Sequence, residues 1–222
     1  MIDHRVRVAA ERRERMRARL IEAAFSVFGK HNAEPAVIDQ VIRLAGVSRG
    51  SFYNYFDSSE DLLKAVAIQV GNELMQAVAP VVEAREDPVE RMSAGIRSWM
   101  VLVRAHPQLA AFFRRAGLYV LEQDTQVRVD LPRDLIAGMQ SGQFTVGELE
   151  LGFVLVAGTV LAAINTLALG EAPADYGNKL AQRVLMALGV DSSQAQRIAM
   201  LPLPDAELPE TSIIVRASAE RR

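Results

Sequence analysis

The chain has 222 residues, half of them hydrophobic and 23% charged, which suits a globular protein of one long or two short domains. It contains no cysteine, which excludes a disulfide framework, cysteine metal sites and thiol catalysis and fits a reducing cytoplasm. The net charge of −2 excludes a generally basic nucleic-acid coat, but residues 1–64 hold eleven Lys/Arg against nine Asp/Glu and the remainder fourteen against eighteen.

Met1 to Ala10 alternate apolar and charged residues, so no secretory signal is expected there. Seven of the first 19 residues are arginines (Arg5, Arg7, Arg12, Arg13, Arg15, Arg17 and Arg19), against three acids. Such a basic arm is either a localised footprint for phosphates or a solvated helix face. Met16, Leu20, Ala24 and Val27/Phe28 then form one stripe of a first helix, which Gly29 to Asn32 can end. Pro35 suits the first turn of a second helix through Val37, Ile38, Val41, Ile42 and Leu44, which Gly46 breaks. Ser48 is the expected N-cap of a short third helix ending near Phe56. Asp57 with Glu60 predicts the start of a fourth helix running toward Pro80. Further helices are predicted around 87–105, 107–117, 132–141, 146–169 and 174–189. The prolines Pro202, Pro204 and Pro209 predict a poorly ordered or strapped-down tail over 201–222. The expected fold is all-α: a three-helix helix-turn-helix domain over 1–60 and a helical ligand-binding and dimerisation domain over 61–200.

The informative stretch is Val37 to Leu63. Two short helices joined by a glycine-containing turn form a helix-turn-helix, whose second helix can enter the major groove of DNA. On the third helix Phe52 and Phe56 lie four positions apart and should pack inward. The opposite face then presents Gly50, Ser51 and Asn54, flanked by Tyr53 and Tyr55 and with Arg49 in the first turn, donors for phosphates and base edges. Gly50 weakens a helix and makes sense where backbone must approach DNA closely.

Leu20-Ile21-x-Ala23-Ala24-x-x-Val27-Phe28, Ala45-Gly46-Val47-Ser48-Arg49-Gly50-Ser51-Phe52-Tyr53-Asn54-Tyr55-Phe56 and Glu60-x-Leu62 together resemble the TetR family of regulators. The resemblance covers about the first 65 residues. It implies that Ser48 and Tyr55 hold phosphates with the arm arginines, while Arg49, Ser51, Tyr53 and Asn54 meet bases and sugars. It further implies a homodimer on a palindromic operator, more often a repressor, released when a small molecule shifts the spacing of its DNA-binding domains. Two positions depart from the family pattern: Ala36 stands where a threonine often caps the second helix, and Ser59 where a lysine often precedes the fourth-helix glutamate. Both remove backbone contacts, so binding should lean on the arginine-rich segment.

Leu151 to Gly170 carries no charge over about twenty residues, long enough for a membrane span. Acidic flanks (Glu148, Glu150, Glu171) and the lack of a Lys/Arg cluster argue for burial in protein instead. Pairing with Leu180, Val184, Leu185 and Leu188, and with the same two helices of a second chain, would bury it. Trp99, Arg104, His106, Phe112, Phe113 and Tyr119 offer aromatic surface with a few polar groups and are the candidate effector pocket, although each also reads as an ordinary core residue. His4, His31 and His106 show no metal-ligand spacing, and no phosphate loop or nucleophile elbow is present, so neither cofactor nor enzyme activity is expected. The alternatives are a helical adaptor binding protein through Phe52, Tyr53 and Tyr55, and then an enzyme.

Overall fold

A computed structural model describes residues 4–30, 37–122, 124–170 and 172–219. His31, Pro35 and Ala36, and the side chains of His4 and Arg5, lie outside the described residues. Among those described, eleven α-helices and one short 3₁₀ helix occur, and no strand. The helices are α1 (His4–Phe28), α2 (Val37–Ala45), α3 (Arg49–Tyr53), α4 (Ser59–Glu83), α5 (Pro88–Ala105), α6 (Pro107–Ala116), α7 (Val127–Gln140), α8 (Leu149–Ala168), α9 (Tyr176–Ala187), α10 (Ser192–Ala199) and α11 (Ile213–Ala219). Gly117–Leu121 forms the 3₁₀ turn after α6. The all-α fold expected from the pattern is the fold observed.

The first helix carries two different surfaces. Its second half buries Leu20, Ala24, Phe25 and Phe28 against α2, α4 and α6. Its first half is exposed, so from His4 onward the arginine-rich segment is helical. Where the headpiece (α1 to α3) ends, Ser58 rather than Asp57 caps α4. Its hydroxyl accepts from the Asp61 amide at 3.0 Å, while the Asp61 carboxylate accepts from the Asp57 amide at 3.1 Å. This is a capping box moved one residue from the expected place.

The 25-residue α4 links the two halves of the molecule. Leu62 and Val66 lie buried near its start, and Val70, Leu74, Val78 and Val82 continue the stripe through the same hydrophobic core. By length and composition alone, α4 and α8 could each cross a membrane. Their inner faces are instead core: Phe153, Val156, Val160 and Ile164 of α8 are buried. Along the outer face of α8 and its C-cap, Leu151, Val154, Ala162, Asn165 and Leu169 are exposed and Gly158 half-buried, recurring at helical spacing. A Cβ added at Gly158 would meet nothing within 4 Å.

Other element boundaries also differ from expectation. The seventh helix starts at Val127, ahead of Pro132, because a turn over Thr125 and Gln126 already supplies its first hydrogen bonds. α8 starts at Leu149 because Gly147 (φ 85°) turns the chain just before it. Over residues 201–219 the tail is strapped against the body. A capped helix, α10, precedes it, with Asp191 accepting from the Ser193 and Gln194 amides. Beyond the loop, α11 buries Ile213, Ile214 and Ala217 against the body. Ser212 and the Ile213 amide both donate to Glu73 of α4, at 2.6 and 3.1 Å. Gln108 of α6 donates to the Ile214 carbonyl. A bidentate pair between Arg216 and Glu22 (2.6 and 3.0 Å) fastens the strap to α1.

Candidate nucleic-acid interface and internal cavity

The turn between α2 and α3 is built from its backbone. Gly46 takes φ 61°, a left-handed conformation that disfavours side chains. The Gly46 amide donates to the Arg43 carbonyl and the Val47 amide to that of Ile42, the paired bonds of a glycine-terminated helix end. Ser48 then caps α3, accepting from the Ser51 amide at 3.1 Å, with the two hydroxyls 2.9 Å apart. As the spacing predicts, Phe52 and Phe56 are buried, their ring centroids 6.0 Å apart. By the same rotation Arg49, Gly50, Tyr53 and Asn54 are exposed, and Ser51 and Tyr55 half-buried. Regular helix ends at Tyr53, and Asn54 to Phe56 finish the segment as a turn.

Glycine at position 50 has no internal cause. Its added Cβ would meet only the Ser48 hydroxyl, at 3.9 Å. Arg49 is not free in the protomer: its guanidinium donates to Asp39 of α2 at 3.0 Å. The basic extension of α1 lies beside the end of α3. Val8, Arg12, Arg13 and Met16 form an open groove with Asn54 and Tyr55. The Arg13 guanidinium sits 5.8 Å from the Tyr55 ring centroid, and that of Arg17 sits 5.6 Å from Phe56. One face thus combines arginines, hydroxyls, an amide and an exposed tyrosine, the donors that phosphates and base edges take.

A cavity of about 100 Å³, half open to solvent, lies between α4, α5, α7 and α8. Met75, Val78, Met92, Trp99, Leu131 and Val160 give it an apolar body. Its other end is charged, with Glu83, Arg91, Asp130, Arg133 and Asp134 in the wall. Arg91 donates through Nε and Nη2 to Asp134 Oδ1, at 3.0 and 2.7 Å. Arg133 reaches both Asp134 and Asp130 at 3.1 Å. The arginines are therefore held by carboxylates.

Of the six effector-site candidates, only Trp99 lines this cavity. The ring of Phe112 is buried against Phe25 at 5.4 Å, joining α6 to α1. That of Phe113 lies behind Trp99 at 5.8 Å. On the surface, Tyr119 donates to Glu60 at 2.8 Å, which holds the Glu60 carboxyl below its usual range. The Arg104 side chain donates to the carbonyls of Ala172 and Pro173. Facing Ser218 of α11, the His106 imidazole is pushed below its usual value by burial. Sequence reasoning missed Arg91, Asp134 and the two methionines. The available signal was a charge at a core-facing position on each of two apolar helices. Among the described residues no cluster of acidic and histidine side chains could hold a metal ion.

Two family models match the chain: the tetR family of bacterial regulatory proteins over residues 20–66, and the tetracyclin repressor-like C-terminal domain over residues 87–200. An uncharacterised HTH-type transcriptional regulator of Mycobacterium tuberculosis (strain CDC 1551 / Oshkosh) is 34% identical over 110 residues, 48% of this chain and 52% of that protein. The HTH-type transcriptional regulator SrpR of Pseudomonas putida is 40% identical over 60 residues, 27% of this chain and 28% of that protein. The aligned region thus spans about half the length, or less, of these curated relatives. Among solved structures, RolR in complex with resorcinol is 29% identical with a TM-score of 0.76, over 89% of this chain and all of that one. RolR without ligand gives 0.73 at 29% identity, over 86% and 100%. With a helix-turn-helix at the front, a helical domain behind it and a family model over half its length, the chain belongs to the TetR family of transcriptional regulators.

Proposed function

We propose that the protein is a homodimeric repressor that binds a palindromic DNA operator in the cytoplasm and releases it when a small molecule fills the internal cavity. The observation carrying this reading is the exposed face of α3, where Gly50 has no internal reason to be glycine and donors surround it. Ser48, Tyr55 and the α1 arginines position the headpiece on phosphates; Arg49, Ser51, Tyr53 and Asn54 read bases and sugars. Residues 1–60 act as the DNA-binding unit and 61–200 as the sensing and pairing unit.

The cavity suits a ligand of about one ring, since an apolar hole of about 150 Å³ takes up benzene. The related RolR was crystallised with resorcinol, a single-ring diol. A hydroxyl on the ligand would donate to the carboxylates at the polar end, and Trp99 would flank the ring. Pairing through the outer face of α8, with α9 beside it, supplies the two-fold symmetry that a palindrome requires.

Selection of duplexes from a random DNA pool tests the reading, with Tyr53→Ala run beside the native chain. The native chain should enrich a palindrome, and the variant should enrich it weakly or not at all. If neither enriches a sequence, the assignment of α3 as reader fails.

A further inference from the structure

A second cavity, of about 430 Å³, lies on the other side of α5 between that helix, the first turn of α9 and the loop that follows α10. Its wall contains an arginine in an unusual position. Arg97 is only 8% exposed. Its Nε donates to the Asn178 side-chain oxygen at 2.9 Å, and no carboxylate among the described residues lies within ion-pairing distance. Burial, and after it the like charge of Arg85, acts against the protonated form. A guanidinium does not give up its proton in a protein, so burial leaves it charged and short of a counter-ion.

The groups around Arg97 suit an anion. Gly177 and Asn178 belong to the first turn of α9, and no side chain caps that turn, because Asp175 pairs with Lys179 instead. Arg104 adds a second positive charge at the mouth, bonded only to backbone carbonyls. Asp205, exposed on the loop, is the single acidic side chain in the wall. The rest of the wall, including Met100, Val101 and Leu203, is apolar. The volume falls within the range of small-molecule pockets and is far larger than an oxyanion head needs.

We propose that this cavity binds a small organic anion, its carboxylate or phosphate head toward Arg97 and Arg104 and its apolar body against Met100, Val101 and Leu203. The occupant would close the loop over residues 201–206, which Arg85 already holds through the Pro202 carbonyl. The site is separate from the effector cavity: Trp99 faces one and Arg97 the other.

Thermal unfolding of the full chain in a buffer without oxyanions tests the proposal, with benzoate, phenyl phosphate, inorganic phosphate and neutral benzyl alcohol as probes. At about a hundred times its Kd, an organic anion should raise Tm by roughly 5–10 °C for a chain of this size. Benzoate against phenyl phosphate distinguishes the two head groups, and inorganic phosphate should give the smaller rise of a head without a body. Arg97→Met should leave the anion-free Tm unchanged or higher, because it removes an uncompensated buried charge, and should abolish the rise. Arg104→Gln, at an exposed position, should keep the fold and weaken the anion several-fold. A rise that benzyl alcohol reproduces, or that survives Arg97→Met, overturns the assignment.

Discussion

Replacing Val154 by aspartate places a charge in the middle of the apolar stripe on the outer face of α8. In the protomer Val154 is 57% exposed, so the change should cost the isolated fold little. In a two-fold dimer the same position occurs twice. Each copy loses about 1 kcal/mol of valine burial and desolvates a carboxylate that Leu151, Gly158 and Leu169 cannot pair. Taking about 2 kcal/mol per copy gives about 4 kcal/mol per dimer, close to a thousandfold in the dissociation constant. Sedimentation velocity from nanomolar to micromolar protein reads that constant directly. Affinity for the selected palindrome should fall in parallel while each headpiece stays folded. Val129→Asp is the control: it is 59% exposed on α7, outside the stripe, and should change little. A Val154→Asp dimer constant within tenfold of the control would refute pairing through this face.

Two further outcomes test other parts of the architecture. Ile214→Ala removes a fully buried side chain beneath α11 and should cost about 2–5 kcal/mol, lowering Tm by at least about 4 °C and opening the 201–211 loop to protease. An unchanged melt and digestion pattern would mean that α11 does not dock in solution. Asp39→Asn releases Arg49 from its exposed partner, a pair worth less than about 1 kcal/mol, and should raise DNA affinity a few-fold with a sharper preference at one base pair. Equal affinity and preference would count against Arg49 as a base reader.

What could be read from the chain is what is locally encoded. Ser48, Gly46 and the Phe52/Phe56 spacing each act within a few residues, so the turn and α3 were legible in detail. The start of α4 was ambiguous because Asp57 and Ser58 are both good caps; the carboxylate of Asp61, three residues after Ser58, decides between them. The Asp191 cap of α10 was present in the sequence and went unread, whereas α11 is too short to be stable alone and depends on contacts with α1, α4 and α6. The cavity was the least legible part. Aromatic residues suggested it, but Phe112 and Phe113 fill space rather than line it. Its polar end depends on Arg91 meeting Asp134, 43 residues away, which no local pattern encodes.

The pair between Glu22 and Arg216 closes a loop of 194 residues. Bringing such distant ends together costs about 5 kcal/mol of chain entropy, plus a constant, in a flexible chain, so α11 docks after the helices between them have shortened the path. The same dependence on chain continuity makes the strap removable. One cleavage within residues 201–211 would turn an intramolecular contact into one between a protein and a short peptide, whose effective concentration falls from millimolar to that of free solution. Sensitivity of α1 to an event in that loop is therefore a property of the connectivity, and no change on the surface of α1 is required for it.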